Sequence, residues 1–440
     1  MATGIPSPTP RTALLLALGA IPALAAAGAL GDRGIALALA LDAAVLLLAV
    51  ADAVLAPRPG ALTATRALRE PLSAFAPNGV TLTVANRARR TLHVTLADAP
   101  PAEARAAGHR RTIALAPGAS ATLAYELVPL RRGALAFDDL HVRARGPLGL
   151  AAVQWRVPLA RTVAVYPDLR GLAAAAGAER LEEGRARTRG HHEGREFSAL
   201  RPYHPGDDVR GMDWKATARR GAPVVREWQP ERNQTVWLLL DCGRHLSARL
   251  ADGRTKLDHA VDAALALARA AALRGDRAGA ILFGAEPTRV ILPAAGRAGL
   301  AALAGALHLA EARVEESDFG AAFDVLEARQ RRRALVLLFT DLSDPDTSAA
   351  LRARAALLAR RHLVALLAVA DSEIADAAAA RPAGAEEAFA RVAAERILAD
   401  RDRAAAALAA AGVHVESAPA RGLVAAVVRR YLEVKRRGEL

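Results

Sequence analysis

Thr235-Val-Trp-Leu-Leu-Leu-Asp241 is an apolar run that stops on an aspartate. Seven residues with no polar alternation read as a strand buried on both faces, which is the signature of a parallel sheet. The pattern repeats downstream, with apolar runs at 278–284, 334–340, 363–370 and 412–417. Between and after them lie helix-length Ala/Leu/Arg segments at 256–274, 297–310, 318–330, 347–361, 386–411 and 422–436. Strand–helix alternation of this kind predicts an α/β fold with a doubly wound, mainly parallel sheet over 233–440. Ligands of such sheets bind beyond the carboxyl ends of the strands. Asp241 closes one strand and Asp341 another, so both carboxylates are expected on one rim of the sheet.

Upstream, residues 194–232 hold the most varied chemistry of the chain. Gly194 to Arg220 gathers Arg195, Glu196, Phe197, Arg201, Tyr203, Pro205, Gly206, Asp207, Asp208, Arg210, Asp213, Trp214 and Arg219. Pro205 to Asp208 reads as a turn. Phe197, Tyr203 and Trp214 are expected to pack this segment onto the α/β domain. Residues 167–193 are Gly, Ala and charge, and read as a linker. Over 60–166, Val80/Leu82/Val84, Leu92/Val94/Leu96 and Ala121/Leu123/Tyr125/Leu127 alternate with polar or small residues. That period of two predicts a small antiparallel β-sandwich-like domain.

The first 58 residues are different again. Residues 12–30 carry no charge, and 35–56 are apolar except for Asp42 and Asp52. Each run is about the 20 residues that span a bilayer, so 1–58 reads as a two-helix transmembrane hairpin; a cleaved signal peptide is the other reading of the first run. Asp42, near the middle of its span, is expected to face the other helix or another subunit. Arg11 precedes the first run, while Arg58, Arg66 and Arg69 follow the second. The positive-inside bias then predicts an inner-membrane protein with both ends and the bulk of the chain in the cytoplasm.

The window from Arg195 to Arg219 resembles the signature of the bacterial family called domain of unknown function 58. Arg131-Arg132-Gly133 and Gly146-Pro147-Leu148-Gly149-Leu150 resemble it too, as does the order of hairpin, β domain, signature and α/β domain. The resemblance implies a von Willebrand factor A-like domain and association with a MoxR-type AAA+ ATPase. The nearly balanced charge of the window and its place before the α/β domain make its residues the expected brace and docking surface. Such domains often hold Mg²⁺ through an Asp-x-Ser-x-Ser stretch, a later hydroxyl and a further Asp, the oxygen set a hard cation prefers. Here the stretch is Asp241-Cys242-Gly243-Arg244-His245, with both serine positions changed. Asp241, Ser317 and Asp341 are the ligands that remain, with Ser317-Asp318 at the later loop position, so the implied adhesion site is degenerate. The bland reading of the two aspartates is rim carboxylates satisfied by backbone amides.

Composition narrows the alternatives. The chain has 440 residues, 52% hydrophobic, and a net charge of +13. Yet residues 181–232 hold 11 Lys/Arg against 9 Asp/Glu, so the aromatic window is no basic groove for nucleic acid. The surplus includes 421–440, with six basic and two acidic residues, a basic amphipathic end suited to an anionic membrane surface or an acidic partner. The single cysteine, Cys242, excludes an intrachain disulfide and cysteine-based zinc sites. No phosphate-binding G-x-x-x-x-G-K-[ST] loop occurs, so ATP-driven work falls to a partner. His191, His192, Glu193, Glu196, His204, Asp207 and Asp208 are the candidates for a metalloenzyme or hydrolase, but they lack H-E-x-x-H spacing. The expected function is a non-enzymatic, membrane-anchored adaptor that works with the ATPase on a client complex. A hydrolase using the Asp241/Asp341 rim and a metal-dependent adhesion module are the alternatives.

Overall fold

The computed structural model describes residues 5–19, 31–168, 196–204, 209–229, 233–342 and 345–439. The linker expected at 167–193 lies almost wholly outside them. Two compact units divide the chain, 1–166 and 167–440.

In the first unit, helix α1 (Asp32–Leu55) is 24 residues long, with a mean hydropathy of 2.5 over its most apolar window. It is the one helix among the described residues long and apolar enough to span a membrane. Leu37, Leu39, Leu47, Val50 and Val54 all lie exposed along it. Residues 10–19 are also helical, while 20–30, the remainder of the first expected span, lie outside the described residues. A Cβ on Gly19 would stand 3.2 Å from the Asp42 carboxylate, so Asp42 does face the N-terminal helical segment.

Strand β1 (Ile5–Pro8) leads a five-stranded sheet in the order β1-β11-β10-β5-β7, where β5 is Leu92–Ala97, β7 Arg110–Leu115, β10 Leu140–Arg145 and β11 Ala151–Val157. A four-stranded sheet runs β2 (Leu62–Leu68), β4 (Asn78–Asn86), β8 (Ser120–Pro129) and β6 (Ala104–Ala107). The third runs β3 (Leu72–Ser73), β12 (Arg161–Tyr166) and β9 (Gly133–Phe137). Period-two alternation sends Leu82 and Val84 inward from β4, where they share a core with Leu92, Val94, Val142 and Trp155 of the first sheet. A buried polar knot pins the neighbouring core cluster, where Tyr125 packs with Val80, Leu127 and Phe137. Arg66 Nε and the Tyr125 hydroxyl both donate to Asp98, at 3.0 and 2.7 Å. Burial, then the bond to Asp98, pushes the Tyr125 hydroxyl far above its ordinary pKa.

Asp52 ties α1 to this β structure. It is 0% exposed, and its carboxylate accepts the backbone N–H groups of Leu148, Leu150 and Ala151 at 2.7, 2.7 and 2.8 Å. The Gly146-Pro147-Leu148-Gly149-Leu150 phrase is therefore a nest of backbone donors for a carboxylate. Gly146 is required there because a Cβ would overlap the Asp52 carboxyl. Thr9 and Thr12 close the other side, donating their hydroxyls to the carbonyls of Gly149 and Leu150.

The second unit opens with a two-stranded antiparallel pair, β13 (Glu196–Pro202) with β14 (Val224–Gln229). Helix α2 (Trp214–Arg220) lies between them, capped by Asp213 accepting from Ala216 N at 2.9 Å. The main sheet follows in the order β17-β16-β15-β18-β19-β20: β15 Thr235–Asp241, β16 Arg277–Phe283, β17 Pro287–Ala295, β18 Leu335–Phe339, β19 Leu363–Ala370 and β20 His414–Pro419. All neighbours run parallel except β16 and β17. The mainly parallel sheet is as the sequence predicts, with an antiparallel edge strand added.

Its helices are α3 (Lys256–Leu273), α4 (Gly296–Leu307), α5 (Phe319–Arg329), α6 (Pro345–Ala359), α7 (Ser372–Ala379), α8 (Ala385–Ala410) and α9 (Leu423–Arg437). A capping box starts α3: the Thr255 side chain takes the Asp258 N–H while Asp258 takes that of Thr255. The C-terminal end packs its apolar side into the unit and leaves Arg421, Arg429, Arg436 and Arg437 exposed. The apolar face of α9 (Leu423, Val427, Tyr431, Val434) is buried in the unit's own core against α3. Tyr431 and Lys435 are spent on the buried Asp276, at 2.5 and 2.9 Å. Burial and that carboxylate raise the Tyr431 hydroxyl far above its ordinary pKa. An apolar face already packed in the fold cannot also enter a membrane.

Candidate functional site: a carboxylate rim

From β15 the chain first adds β16 on one side and later places β18 on the other. The crevice between the carboxyl ends of β15 and β18 is thus the topological switch point, where open α/β sheets bind ligands. Leu240 pairs with Phe339, so Asp241 and Thr340 leave the sheet side by side, followed by Asp341.

Asp241 is 0% exposed and fully engaged. Its Oδ1 accepts from Ser317 Oγ at 2.5 Å and Gly243 N at 2.8 Å, and its Oδ2 accepts from Thr340 Oγ1 at 2.5 Å. Short O–H···O⁻ bonds of this kind are charge-assisted. Gly243 has a packing reason to be glycine: a Cβ would overlap Ser317 Oγ and come within 2.8 Å of the Glu315 carbonyl. Ser317 arrives on the segment before α5, which is stitched to the strand ends by Arg313 N–Cys242 O, Arg244 N–Glu315 O and Asp318 N–Gly284 O bonds of 2.7, 2.9 and 2.8 Å. Asp318 caps α5 by accepting from Ala321 N at 3.0 Å.

Asp341 is only 5% exposed, and it meets cations. Lys256 Nζ donates to its Oδ2 at 2.5 Å, and Arg401 from α8 donates to the same oxygen at 2.9 Å. Its Oδ1 takes the Leu342 N–H at 2.7 Å. Lys256 is itself 3% exposed. Asp341 thus faces both cations, while Asp241 is held by two hydroxyls and a backbone amide.

As a site for Mg²⁺ this donor set does not fit. Asp241, Ser317 and Thr340 supply oxygens, but the Asp341 oxygen that would face a divalent ion faces an ammonium and a guanidinium instead. Like charge at that distance opposes a second cation. No group of three or more His, Cys, Asp or Glu side chains with metal-holding geometry occurs among the described residues.

Above this frame the loops are open. Val314 is 91% exposed, and Arg244 pairs with Glu316 at 2.5 Å, with both side chains substantially solvated. His245 is buried beside them, its Nε2 3.5 Å from Glu316. A cavity of about 240 Å³ lies next to the rim, lined among others by Cys242, Leu282, Arg289, Arg313 and Glu315.

Of the three aromatics expected to pack the signature window onto the α/β domain, Trp214 departs from that expectation. Trp214 is 67% exposed on α2 and does not pack onto the sheet. A start-of-helix position after the Asp213 cap turns its ring outward. Tyr203 and Arg201 are half-buried, and Arg201 donates to the Pro202 carbonyl at 3.2 Å. Arg219 sits exposed in the last turn of α2. Glu196 and Phe197 open β13, pairing with Gln229 and Trp228, and Arg210 lies in a single turn of 3₁₀ helix at Val209–Gly211. Arg195 and Pro205, Gly206, Asp207 and Asp208 lie outside the described residues, as do His191, His192 and Glu193.

Three rim residues escape the sequence reading. Thr340 had a signal, standing between an apolar strand and Asp341. Lys256 had one too, as the first helical position behind the Thr255/Asp258 capping box. Arg401 had none, since it is one arginine among many on a long Ala-rich helix.

Residues 199–409 match the family described as "Protein of unknown function DUF58". Asp241, Lys256, Ser317, Thr340, Asp341 and Arg401 all fall inside that match. An uncharacterized protein of Mycobacterium tuberculosis (strain ATCC 25618 / H37Rv) is 36% identical over 187 residues, which cover 40% of this chain and 56% of that protein. Uncharacterized protein YeaD of Bacillus subtilis (strain 168) is 32% identical over 124 residues, covering 28% of this chain and 31% of YeaD. The chain therefore spans about half the length, or less, of the curated relatives it matches. Among solved structures, proximal thread matrix protein 1 from the mussel byssus aligns over 47% of this chain and 46% of its own at 10% identity. Its TM-score of 0.28 is too low to bear on the fold.

Proposed function

We propose that this chain is a membrane-anchored adaptor whose α/β unit offers the loops above the β15/β18 rim to a protein partner. One observation carries the reading: both rim carboxylates are already occupied from within, Asp241 by the neutral donors Ser317, Thr340 and Gly243 and Asp341 by the cations Lys256 and Arg401. A catalytic acid or metal ligand needs a free coordination or proton-transfer position. Carboxylates that tie the β15 and β18 ends to α3, α8 and the segment before α5 instead fix loop geometry, as a docking surface requires. The exposed Val314, Arg244 and Glu316 on those loops supply the mixed apolar and charged contacts of a protein interface.

The signature resemblance supplies the finer identities, and they are part of the proposal. The α/β unit is von Willebrand A-like, α1 is the second span of a hairpin, and the units after it lie in the cytoplasm. The partner is a MoxR-type AAA+ ATPase acting on a client complex. The test is capture of the full chain from membranes under ATP-trapping conditions. Co-purification of a AAA+ ATPase, lost on Val314→Asp with the chain still in the membrane, supports the adaptor. Absence of any such ATPase defeats it, and turnover of a hydrolysable substrate that dies with Asp241→Ala establishes the enzyme in its place.

A further inference from the structure

A cavity of about 640 Å³ opens beside the C-terminal half of α1. The volume is that of a small-molecule site. One face of α1 forms its wall, with Leu46, Ala49, Val50, Ala53 and Val54 at spacings of three and four. Ala151 and Val153 of β11 stand against it, and Pro57-Arg58-Pro59 closes one end. Its polar side chains are few. Thr12 is spent on the Leu150 carbonyl, and Ser7 lies 3.4 Å from that of Ala152, which leaves Arg58 as the charged group of the lining. An adjoining cavity of about 460 Å³ shares Pro8, Thr12 and Leu46 and adds Arg143.

Charge at this end of the helix is one-sided. Arg11 lies against Gly149, Arg90 donates to the Leu55 carbonyl, and Arg58 and Arg143 edge the two cavities. Among the described residues no carboxylate stands within ion-pair reach of Arg11, Arg58 or Arg143. The acid of this stretch, Asp52, is buried with both oxygens occupied by backbone N–H groups. An apolar trough on a membrane-length helix, edged by cations at the level where the helix meets folded protein, complements an acyl chain beneath an anionic headgroup.

We propose that this cavity binds one anionic phospholipid, its acyl chain along α1 and its phosphate at Arg58. The inference rests on the membrane anchoring of α1. Full-length protein in mild detergent, titrated with phosphatidylglycerol and separately with phosphatidylcholine and followed by native mass spectrometry, tests it. One phosphatidylglycerol per chain is expected to bind at least about fivefold more tightly than phosphatidylcholine, the effect of one arginine at an anionic group. Arg58→Ala should bring the two lipids to parity, while Ala53→Phe, which fills the trough, should weaken both. Equal affinities in the unaltered chain, or an unchanged preference in Arg58→Ala, overturn the proposal. Carbonate extraction separates the two ideas: a chain released from membranes defeats the anchoring and the lipid site together, whereas a retained chain without lipid preference defeats only the site.

Discussion

Lys256→Met should destabilise the α/β unit far more than a surface lysine would. Lys256 is 3% exposed and donates to Asp341 at 2.5 Å. Methionine keeps most of the apolar stem but removes the ammonium, so Asp341 is left buried with Arg401 and one backbone N–H. Removing one partner of a buried pair costs about 3–5 kcal/mol when the other is stranded. Because Arg401 remains, at 2.9 Å, the loss should be about 2–3 kcal/mol. For a unit of this size each kcal/mol shifts Tm by roughly 2–4 °C, so a fall of about 5–10 °C is expected. Urea unfolding of the full chain in detergent gives the same quantity as a lower midpoint at unchanged slope. A loss below about 0.5 kcal/mol for Lys256→Met would put the pair in the class of solvated surface bridges and refute the reasoning.

Gly243→Ala should cost about 1–3 kcal/mol through overpacking, because the backbone carbonyl of Glu315 at 2.8 Å cannot yield; faster proteolysis of the segment before α5 would register it. Asp52→Ala leaves three backbone donors without their carboxylate, and about 3 kcal/mol of local stability should go with it. Hydrogen exchange at Leu148, Leu150 and Ala151 reads that loss directly, and unchanged protection would count against the nest. Stability should fall as pH drops below about 6.5, the ordinary histidine value. Burial, opposed by Glu327 and reinforced by Arg361, lowers the pKa of His362. Burial and Arg254, against Asp252, lower that of His259. Folded protein then holds both neutral while the unfolded chain takes up protons. Urea midpoints at pH 7.5 and 5.5 should differ by less in His259→Gln/His362→Gln than in the unaltered chain. Adding Mg²⁺ should leave the Tm of the unaltered chain where it was, since Lys256 and Arg401 already neutralise Asp341; a rise with millimolar Mg²⁺ would restore the adhesion-site reading.

Much of the sheet could be read from the sequence because buried parallel strands announce themselves as unbroken apolar runs. Thr235–Asp241 and Leu363–Ala370 form over the residues predicted, and the other three lie within two residues of expectation. Strand β17 was missed because it is a solvated edge with prolines at 287 and 293 and no buried residue, so neither period shows. Helix α7 escaped for a similar reason, having no buried face. The rim was half legible. A carboxylate at a strand end is visible in sequence, but its partner is not. Lys256 and Arg401 stand 85 and 60 residues from Asp341, and Asp52 meets its donors 96 to 99 residues on. Long-range pairs of that kind follow from the packed fold rather than from local pattern. Trp214 misled because aromaticity suggested burial, whereas the position after the Asp213 cap faces water.

The adaptor reading meets its most direct test in a photo-crosslinking amino acid placed at Val314 of the full-length chain in intact membranes. The account predicts a crosslink to a AAA+ ATPase that weakens when Lys256→Met loosens the rim and is absent from a probe at Phe389, an exposed site on α8. Crosslinking to no ATPase at Val314, or equally at both positions, would contradict it.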